Sequence, residues 1–256
     1  MLLRRRRRRA AQALPSAPPA ASGAATPAPA AELPRDSERL EAFSDSVFGF
    51  AATLLVVTLE VPRTFPELEA SLWGFVPFAM SFLALCLLWT THRAFFRRYQ
   101  LADRVTIGLN SILLFVVLFY IYPLKFMTVS LVTEVLTRKP WRESTMFRGP
   151  EDVGGMFLVY GLGFAAVFAC YALMYGHAAR RADDLRLDAA RLAEARMLAR
   201  HYWILSGVGL LSIACVVLGI GVRWGVPGWI YGLIGPFTWA HAAWSERRRA
   251  AAPAIA

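Results

Sequence analysis

The stretch RLEAFSDSVFGFAATLLVVTLEVP, residues 39–62, decides the fold class of this 256-residue chain. It opens with charged residues and continues as a largely apolar run from about Phe43 to Val61, where Pro62 ends it. About 20 residues of helix cross a hydrocarbon core about 30 Å thick. Because lipid offers backbone amides no hydrogen-bond partner, such a segment must be helical. The sequence therefore predicts a transmembrane helix at residues 39–61.

The rest of the sequence contains five further apolar runs of membrane-spanning length. The six predicted spans are residues 39–61, 72–96, 105–136, 153–177, 202–222 and 226–245. The composition agrees, since 57% of the residues are hydrophobic and 18% are charged, whereas a soluble domain carries more charge. No alternating ten-residue segments typical of a membrane β-barrel occur. We expect an all-α polytopic membrane protein with six transmembrane helices in a domain covering residues 36–249.

Two tails flank this predicted membrane domain. Residues 1–35 contain an arginine run at 4–9 and an Ala/Pro-rich stretch, and they lack the aromatic and branched apolar residues that a folded core needs. Residues 250–256 form a short second tail. We expect the first tail to be disordered and to lie near anionic lipid in the cytoplasm.

Basic residues are distributed unevenly among the segments outside the predicted spans. The net charge is +10, and arginines concentrate in the first tail, at residues 247–249 and in the second-to-third and fourth-to-fifth connections. These four segments share one side of a six-span protein. The positive-inside rule then places both termini in the cytoplasm, with the spans in the inner (plasma) membrane. The polar connection 137–152 carries four basic residues, which weakens this asymmetry without reversing it. The pattern favours the lipid bilayer, and not nucleic acid, as a partner.

The connection between the fourth and fifth spans, residues 178–201, is rich in Ala, Leu and Arg and contains no Gly or Pro. This composition favours helix, so we predict helix throughout, as an extension of the fifth span. Its charges are typical of a solvated face. Each of the three cysteines, Cys86, Cys170 and Cys215, falls in a different apolar run, which indicates packing roles and neither disulfides nor metal ligands.

Polar residues gather at one end of the first three predicted spans. Arg39 and Asp45 flank the entry of the first span, Trp89 and His92 share a face of the second, and Asn110 lies near the start of the third. One interpretation is that Arg39 extends to the headgroups while the helix dipole favours Asp45. The other is a buried Asp-His-Asn-Trp cluster that holds the first helix against its neighbours, because ionisable groups in a span are costly unless paired.

Farther along the first span, a stripe of residues follows helical spacing. Ser46, Phe50, Thr53 and Val57 are separated by four, three and four positions, and Leu54 lies beside them. They form one helix face that is first small and polar, then aromatic, then hydroxylated and finally aliphatic. The spacing alone favours ordinary packing, with the Thr hydroxyl bonded to its own helix.

The first span resembles that of the transmembrane protein 175 family of potassium channels. The family's first helix begins with Arg-x-x-x-Phe-Ser-Asp, which corresponds here to Arg39, Phe43, Ser44 and Asp45. Features of the second and third spans also match, namely Trp89-x-x-His92 with Phe95, and Asn110 followed by Pro123. The resemblance covers residues 37–130, while the last three spans match only in number and hydropathy.

The resemblance implies a six-span subunit of an unusual homotetrameric cation channel that conducts K⁺ without a cofactor. Four copies of the first helix would line a central pore. A hydrophobic constriction would fall at Phe50, a threonine one turn beyond it at Thr53, and Leu54 and Val57 would continue the lining. The polar network beside this pore would comprise Arg39, Phe43, Ser44, Asp45, Trp89, His92 and Asn110.

Two residues of the first span depart from the family pattern. Ser46 stands where Gly or Ala is usual, and Phe50 stands where Leu or Ile forms the constriction. Four Phe rings are bulkier and would narrow or shut a pore, so the departure bears on conduction and selectivity more than on fold. Glu60 at the outer mouth either concentrates cations or simply remains hydrated.

The leading functional hypothesis is thus a potassium-favouring cation channel. A secondary transporter of small ions or solutes is the alternative, although matched Gly/Pro-broken spans in two halves, which transporters usually show, are not evident. A non-conducting membrane scaffold is a further alternative because of Phe50. The sequence contains no HExxH, no GxSxG and no intramembrane Asp pair, so we do not expect an enzyme.

Overall fold

Five long α-helices make up most of the protein in its computed structural model, which describes residues 33–57, 61–137 and 146–234. They are α1 (Leu33–Val57), α2 (Phe65–Tyr99), α3 (Arg104–Thr137), α4 (Pro150–Arg180) and α5 (Ala189–Val217). A 3₁₀ turn (Val222–Trp224), the four-residue α6 (Val226–Trp229) and a second 3₁₀ turn (Ile230–Leu233) follow. The described residues contain no β-strand, in agreement with the all-α prediction.

All five long helices are long and apolar enough to cross a membrane. The qualifying segments are Asp36–Val57, Phe65–Tyr99, Arg104–Glu134, Pro150–Arg180 and Ala189–Val217. Most of α2 is exposed on the outside of the protein, since only 17% of its most apolar segment is buried inside. Such a surface is stable only against hydrocarbon or another apolar partner. The chain is therefore a multi-pass membrane protein.

Polar side chains define where several helices begin. Thr64 caps α2 by accepting a hydrogen bond from the Glu67 amide at 3.4 Å, and Asp188 caps α5 by accepting one from the Arg191 amide at 2.7 Å. These oxygens satisfy amides that have no partner within the first turn of a helix. At its other end, α2 stops at Gln100, whose φ of 46° lies in the left-handed region.

The described helices differ from the predicted spans mainly at their ends. Residues 33–35, assigned to the disordered tail, form the start of α1. Residues 65–71, assigned to an outer connection, are the first turns of α2. The remainder of the tail, residues 1–32, lies outside the described residues. The early start of α2 follows from the Thr64 cap, which begins the helix before its apolar run.

Helix throughout residues 178–201 was a wrong prediction. The chain leaves α4 after Arg180, passes through a turn at 181–188 and re-enters helix at Ala189. Arg186 adopts a positive φ of 49° within this turn, and Asp188 then caps the new helix. An Asp cap competes with the continuing helix for backbone amides, so a helix can break without Gly or Pro.

The predicted fifth and sixth spans end differently in the structure. Helix α5 stops at Val217, five residues before the predicted end. Gly219, Gly221 and Gly225 follow with positive φ values of 63–70°, a conformation that glycine adopts without strain, and they turn the chain back toward α4 and α5. Most of the sixth predicted span, residues 226–245, lies outside the described residues.

One end of the helical bundle is marked by contacts between elements that are distant in sequence. Asp45 of α1 accepts a hydrogen bond from Trp89 of α2 at 2.8 Å, and His177 of α4 lies 2.6 Å from Asp103, just before α3. An ion pair joins Arg98 of α2 to Glu194 of α5. We call this end, where the short connections and the helix ends beside them carry many arginines, the basic end.

Aromatic side chains fill the interior near the basic end. The Phe95 ring lies 5.2 Å from the Tyr175 ring at a steep angle, and Tyr99 packs edge-on against Tyr175 at 5.7 Å. Tyr171 is fully buried and donates a hydrogen bond to the Leu88 carbonyl at 2.7 Å. Edge-to-face pairs of this kind add to the apolar area that they bury, so they hold α4 against α2.

Small residues allow α4 and α5 to pack closely. A Cβ on Gly209 would lie 3.0 Å from the Gly161 carbonyl oxygen and 3.1 Å from the Ala165 nitrogen. Next to this contact, Ser206 donates a hydrogen bond to the Ala165 carbonyl at 3.0 Å. Helices in lipid associate through such close backbone approaches, because lipid is as apolar as leucine and provides no hydrophobic driving force.

We expect Gly209→Val to destabilise the protein by about 1–3 kcal/mol, because the added carbons would overlap the α4 backbone. Gly207→Val is the matched control, since nothing lies within 4 Å of a Cβ at Gly207. Thermal unfolding of both variants in the same detergent measures the difference. Equal losses of stability would show that the α4–α5 contact at Gly209 is not close.

Candidate functional site

Helix α1 has one face buried in the protein. Ser44, Phe48, Ala51 and Leu55 lie on this face at intervals of four, three and four residues, and each is at most 4% exposed. They pack against α2 and α3. This packing fixes the rotation of α1 about its axis, so the opposite face of α1 points away from α2 and α3.

A chain of hydrogen bonds crosses the buried interface between α1, α2 and α3. His92 Nε2 lies 2.7 Å from Asn110 Oδ1, Asn110 Nδ2 donates to Ser44 Oγ at 2.9 Å, and the Ser44 hydroxyl donates to the Leu40 carbonyl at 2.8 Å. His92, Asn110 and Ser44 are all fully buried. One amide side chain therefore links the second helix to the first.

The direction of these hydrogen bonds follows from their chemistry. An amide oxygen only accepts, so His92 Nε2 carries a hydrogen and donates it to Asn110. The donors thus run from α2 through α3 to α1. The His92 ring lies between the Phe48 and Phe96 rings, at 5.4 and 4.8 Å, and its Nδ1 has no partner among the described residues. In a medium without water every such bond is costly to break.

A second contact between α1 and α2 lies closer to the basic end. Trp89 Nε1 donates to Asp45 Oδ1 at 2.8 Å, and the Arg93 guanidinium lies 5.5 Å from the centre of the Trp89 ring. The indole of Trp89 thus contacts a cation through its ring face and a carboxylate through its N–H. It compensates the Asp45 charge at the entry of the span.

The structure does not join all seven residues of the predicted network. Ser44, His92 and Asn110 form one connected group, and Asp45 with Trp89 forms a separate one. Arg39 is exposed and makes no hydrogen bond or ion pair with another residue in the described part of the chain. Phe43 is 61% exposed, so it packs against neither group.

The face of α1 opposite the buried one is open. Phe50 is 56% and Val57 72% exposed, and Ser46 and Thr53 are exposed as well. A Cβ on Gly49 would meet nothing within 4 Å. We call the residues of this face the α1 stripe: Ser46, Gly49, Phe50, Thr53 and Val57.

Both hydroxyls of the α1 stripe bond to their own helix in the isolated chain. Ser46 donates to the Ala42 carbonyl at 2.9 Å, and Thr53 donates to the Gly49 carbonyl at 3.1 Å. Their oxygens keep lone pairs directed outward, which can accept from water or coordinate a cation. The stripe can thus offer oxygen ligands one turn beyond an aromatic ring.

Two other residues predicted for the pore differ from the α1 stripe. Leu54 is partly buried and packs against the interior core, because its position lies toward the edge of the stripe on a helical wheel. It therefore supports α1 more than it lines an open surface. Glu60, predicted at the outer mouth, lies outside the described residues.

An Asp–His contact at the basic end was missed in the sequence. Asp103 accepts from the Thr106 amide at 2.9 Å and lies 2.6 Å from His177. Burial disfavours the charged carboxylate, but these hydrogen bonds outweigh it and hold the pKa of Asp103 below its ordinary value. An Asp just before a helix signals a cap. The partner on α4 gave no signal because it is 74 residues away in the sequence.

Ser44→Ala tests whether the bridge through Asn110 holds α1. The substitution leaves the buried Asn110 Nδ2 without its acceptor, which we expect to cost about 1–3 kcal/mol. Ser46→Ala is a matched control on the same helix, since Ser46 has the same bond to its own backbone but no partner on α3. Thermal unfolding in detergent compares them, and similar midpoints would refute the role of the bridge.

Asp103→Asn is expected to lower stability by about 1 kcal/mol at neutral pH, because a neutral acceptor makes weaker hydrogen bonds than a carboxylate. A carboxyl with a lowered pKa stabilises the fold above its unfolded-state pKa and loses this effect as the pH falls through the lowered value. The difference from the parent should therefore shrink below about pH 4. Unfolding midpoints across pH measure this, with exposed Asp183→Asn as the control. A difference that is independent of pH would contradict it.

Comparison with known proteins places these features in a family. The family model described as "Endosomal/lysosomal potassium channel TMEM175" matches residues 39–120, which contain the α1 stripe and the hydrogen-bonded chain. A protein of Marivirga tractuosa named "Potassium channel" is 35% identical over 188 residues, covering 72% of this chain and 76% of that relative. A potassium channel of Chamaesiphon minutus is 28% identical over 205 residues, covering 76% and 92% of the two chains.

The fold has a solved counterpart. A crystal structure of the potassium channel MtTMEM175, in complex with a nanobody–MBP fusion protein, is 30% identical in sequence and aligns with a TM-score of 0.71. The alignment covers 82% of this chain and 93% of that one. Channels, and not enzymes, make up this family. On the identity and coverage of these relatives, the chain belongs to the TMEM175 family of potassium channels.

Proposed function

We propose that this chain is the subunit of a potassium-favouring cation channel in which the α1 stripe lines the pore. The observation that carries the proposal is the two-sided character of α1. Its buried face is fixed by Phe48, Leu55 and the hydrogen bond at Ser44, while Phe50, Thr53 and Val57 remain open. Besides these apolar side chains, the open face carries the Ser46 and Thr53 hydroxyls, whose outward lone pairs can accept hydrogen bonds from water in a pore.

A symmetric homotetramer would form such a pore. Four copies of α1 around one axis would turn four α1 stripes toward each other and enclose a water-filled path. Identical subunits form a closed ring when one contact repeats between neighbours with a rotation that closes. The relatives bear the name of potassium channels, which supports K⁺ as the permeant ion.

The narrowest part of the proposed pore lies at Phe50. Apolar constrictions control ion passage by excluding water, and neighbouring oxygens can replace part of the hydration shell of an ion. Thr53 lies three residues farther along and supplies such oxygens from four subunits. Leu54 braces this turn against the core, and Val57 continues the apolar lining.

We also propose that the basic end lies in the cytoplasm. The helix ends and short connections at this end together carry most arginines of the described residues, and positive residues are retained on the cytoplasmic side of inner membranes. Both termini would then be cytoplasmic, and Glu60 would stand near the outer mouth. In that position its carboxylate either attracts cations to the pore or remains hydrated at the interface.

Phe50→Ala is the decisive substitution. Removing four rings from the constriction should raise K⁺ flux severalfold or reduce the preference for K⁺ over Na⁺. Phe119→Ala is the matched control, because Phe119 is similarly exposed, at 67%, but belongs to α3. Flux into proteoliposomes under a K⁺ gradient measures both variants against empty liposomes. An unchanged Phe50→Ala, or an equal effect at Phe119, would remove Phe50 from the pore.

The same assay separates the other classes of function. Absence of flux in both the parent and Phe50→Ala would indicate a non-conducting scaffold. Saturable uptake that stops without a second coupled ion would indicate a secondary transporter. Passive flux that follows the K⁺ gradient in either protein supports the channel.

A further inference from the structure

A concave site opens at the basic end, away from the α1 stripe. The last turns of α4, the first turns of α5 and the turn between them enclose a cavity of about 680 Å³. Three arginines line it: Arg180 on α4, and Arg196 and Arg200 on α5. Arg196 and Arg200 are four residues apart and so share one face of the helix.

These three arginines lack protein counter-charges, unlike their neighbours. Arg98 pairs with Glu194, and Arg181 pairs with Asp184 at 2.9 Å. Across the part of the chain that the structure describes, Arg180, Arg196 and Arg200 make no ion pair. The lining contains a single carboxylate, Asp183. The site therefore keeps a surplus of positive charge that an anion would neutralise.

Small residues make room for a ligand between the two helices. Gly176, Ala179 and Ala199 also line the cavity. A Cβ on Gly176 would find its nearest neighbours, Ala199 Cβ and an Arg180 Nη, only at 4.0 Å. The helices that touch closely near Gly209 thus leave open space at this end.

The depth of the site corresponds to the lipid headgroups. Helix α4 has 31 residues, so it is about 45 Å long and spans the hydrocarbon core plus both headgroup layers, with Arg180 at its end. On α5, Arg200 precedes the helix end at Val217 by roughly 25 Å. The arginines therefore stand at the boundary of the hydrocarbon on the side of the basic end.

Apolar side chains continue from the cavity toward the bilayer centre. Trp203 and Ile204 follow Arg196 and Arg200 at helical spacing on α5, with exposures of 49% and 37%. Leu173, one turn before Gly176 on α4, is 37% exposed. A tryptophan beside arginines is typical of the membrane interface. This combination suits a ligand with an anionic head and an apolar tail.

We propose that this cavity binds the phosphate headgroup of an anionic phospholipid, with an acyl chain along Trp203 and Ile204. Guanidinium groups bind phosphate oxygens through paired, charge-assisted hydrogen bonds, and basic pockets between transmembrane helices bind such headgroups. The site is separate from the α1 stripe and does not depend on ion conduction. It would anchor the α4–α5 pair to the leaflet at the basic end.

Native mass spectrometry of the full chain in detergent tests the proposal, with phosphatidylglycerol, phosphatidylcholine of the same acyl chains, and glycerol phosphate as probes. We expect phosphatidylglycerol to bind at least tenfold more tightly than phosphatidylcholine. The combined substitution Arg180→Gln, Arg196→Gln and Arg200→Gln should abolish this preference. Arg97→Gln, Arg104→Gln and Arg191→Gln together remove the same charge at the same end outside the cavity, and should retain it.

Two further variants guard against misfolding of the triple variant. Arg196→Gln alone, at an exposed position, should weaken phosphatidylglycerol binding severalfold, and Gly176→Leu should weaken it by filling the cavity without a change of charge. Equal losses in the two triple variants, or no preference over phosphatidylcholine, would overturn the proposal. Competition by glycerol phosphate as strong as that by the lipid would identify a soluble phosphate site and overturn the lipid assignment.

Discussion

The hydrogen bond from Asn110 to Ser44 is the contact on which the orientation of α1 depends. Helices in lipid gain little by burying apolar surface against each other, because hydrocarbon already surrounds them. A polar bond between two helices therefore carries positional information that leucines cannot provide. The Asn110 side chain accepts a hydrogen bond from His92 through its oxygen and donates one to Ser44 through its nitrogen. A rotation of α1 would therefore leave buried polar groups without partners.

The described bundle has two halves, α1–α3 and α4–α5, and different interactions hold the helices of each half together. Helix α1 packs against α2 and α3 around polar side chains, whereas α5 packs against α4 through glycines and the Ser206 hydrogen bond. The aromatic cluster around Tyr175 connects the halves through α2 and α4. Hydrogen bonds are directional, so they fix the rotation of α1 about its own axis. Close backbone contacts are steric, so they fix the distance between α5 and α4. The helix with the proposed pore surface is the one whose rotation is fixed.

The sequence predicted those features that follow from composition and local spacing. Apolar length located five helices, and equal depth in three spans suggested that Ser44, His92 and Asn110 meet, as they do in the structure. Contacts that depend on tertiary packing could not be predicted from the sequence. Asp103, at the start of α3, meets His177 only because α3 and α4 are neighbours. Leu54 packs against the core that several helices form together. The turn at Arg186 was missed because its positive φ is usually signalled by glycine, and here an arginine adopts it.

Phe50 can be reconciled with a pore through the residue that precedes it. Gly49 lies beside Phe50 on the α1 stripe and offers open space where any other residue would place a Cβ. In the proposed tetramer, the ring of one subunit can tilt over Gly49 of the next instead of pointing at the axis. A flat ring occupies less width edge-on than face-on, so in the proposed tetramer the χ angles of Phe50, as well as its volume, would set the diameter of the constriction. A leucine at this position has no comparable flat orientation. In the proposed pore, the open space at Gly49 would thus accommodate the bulk of Phe50.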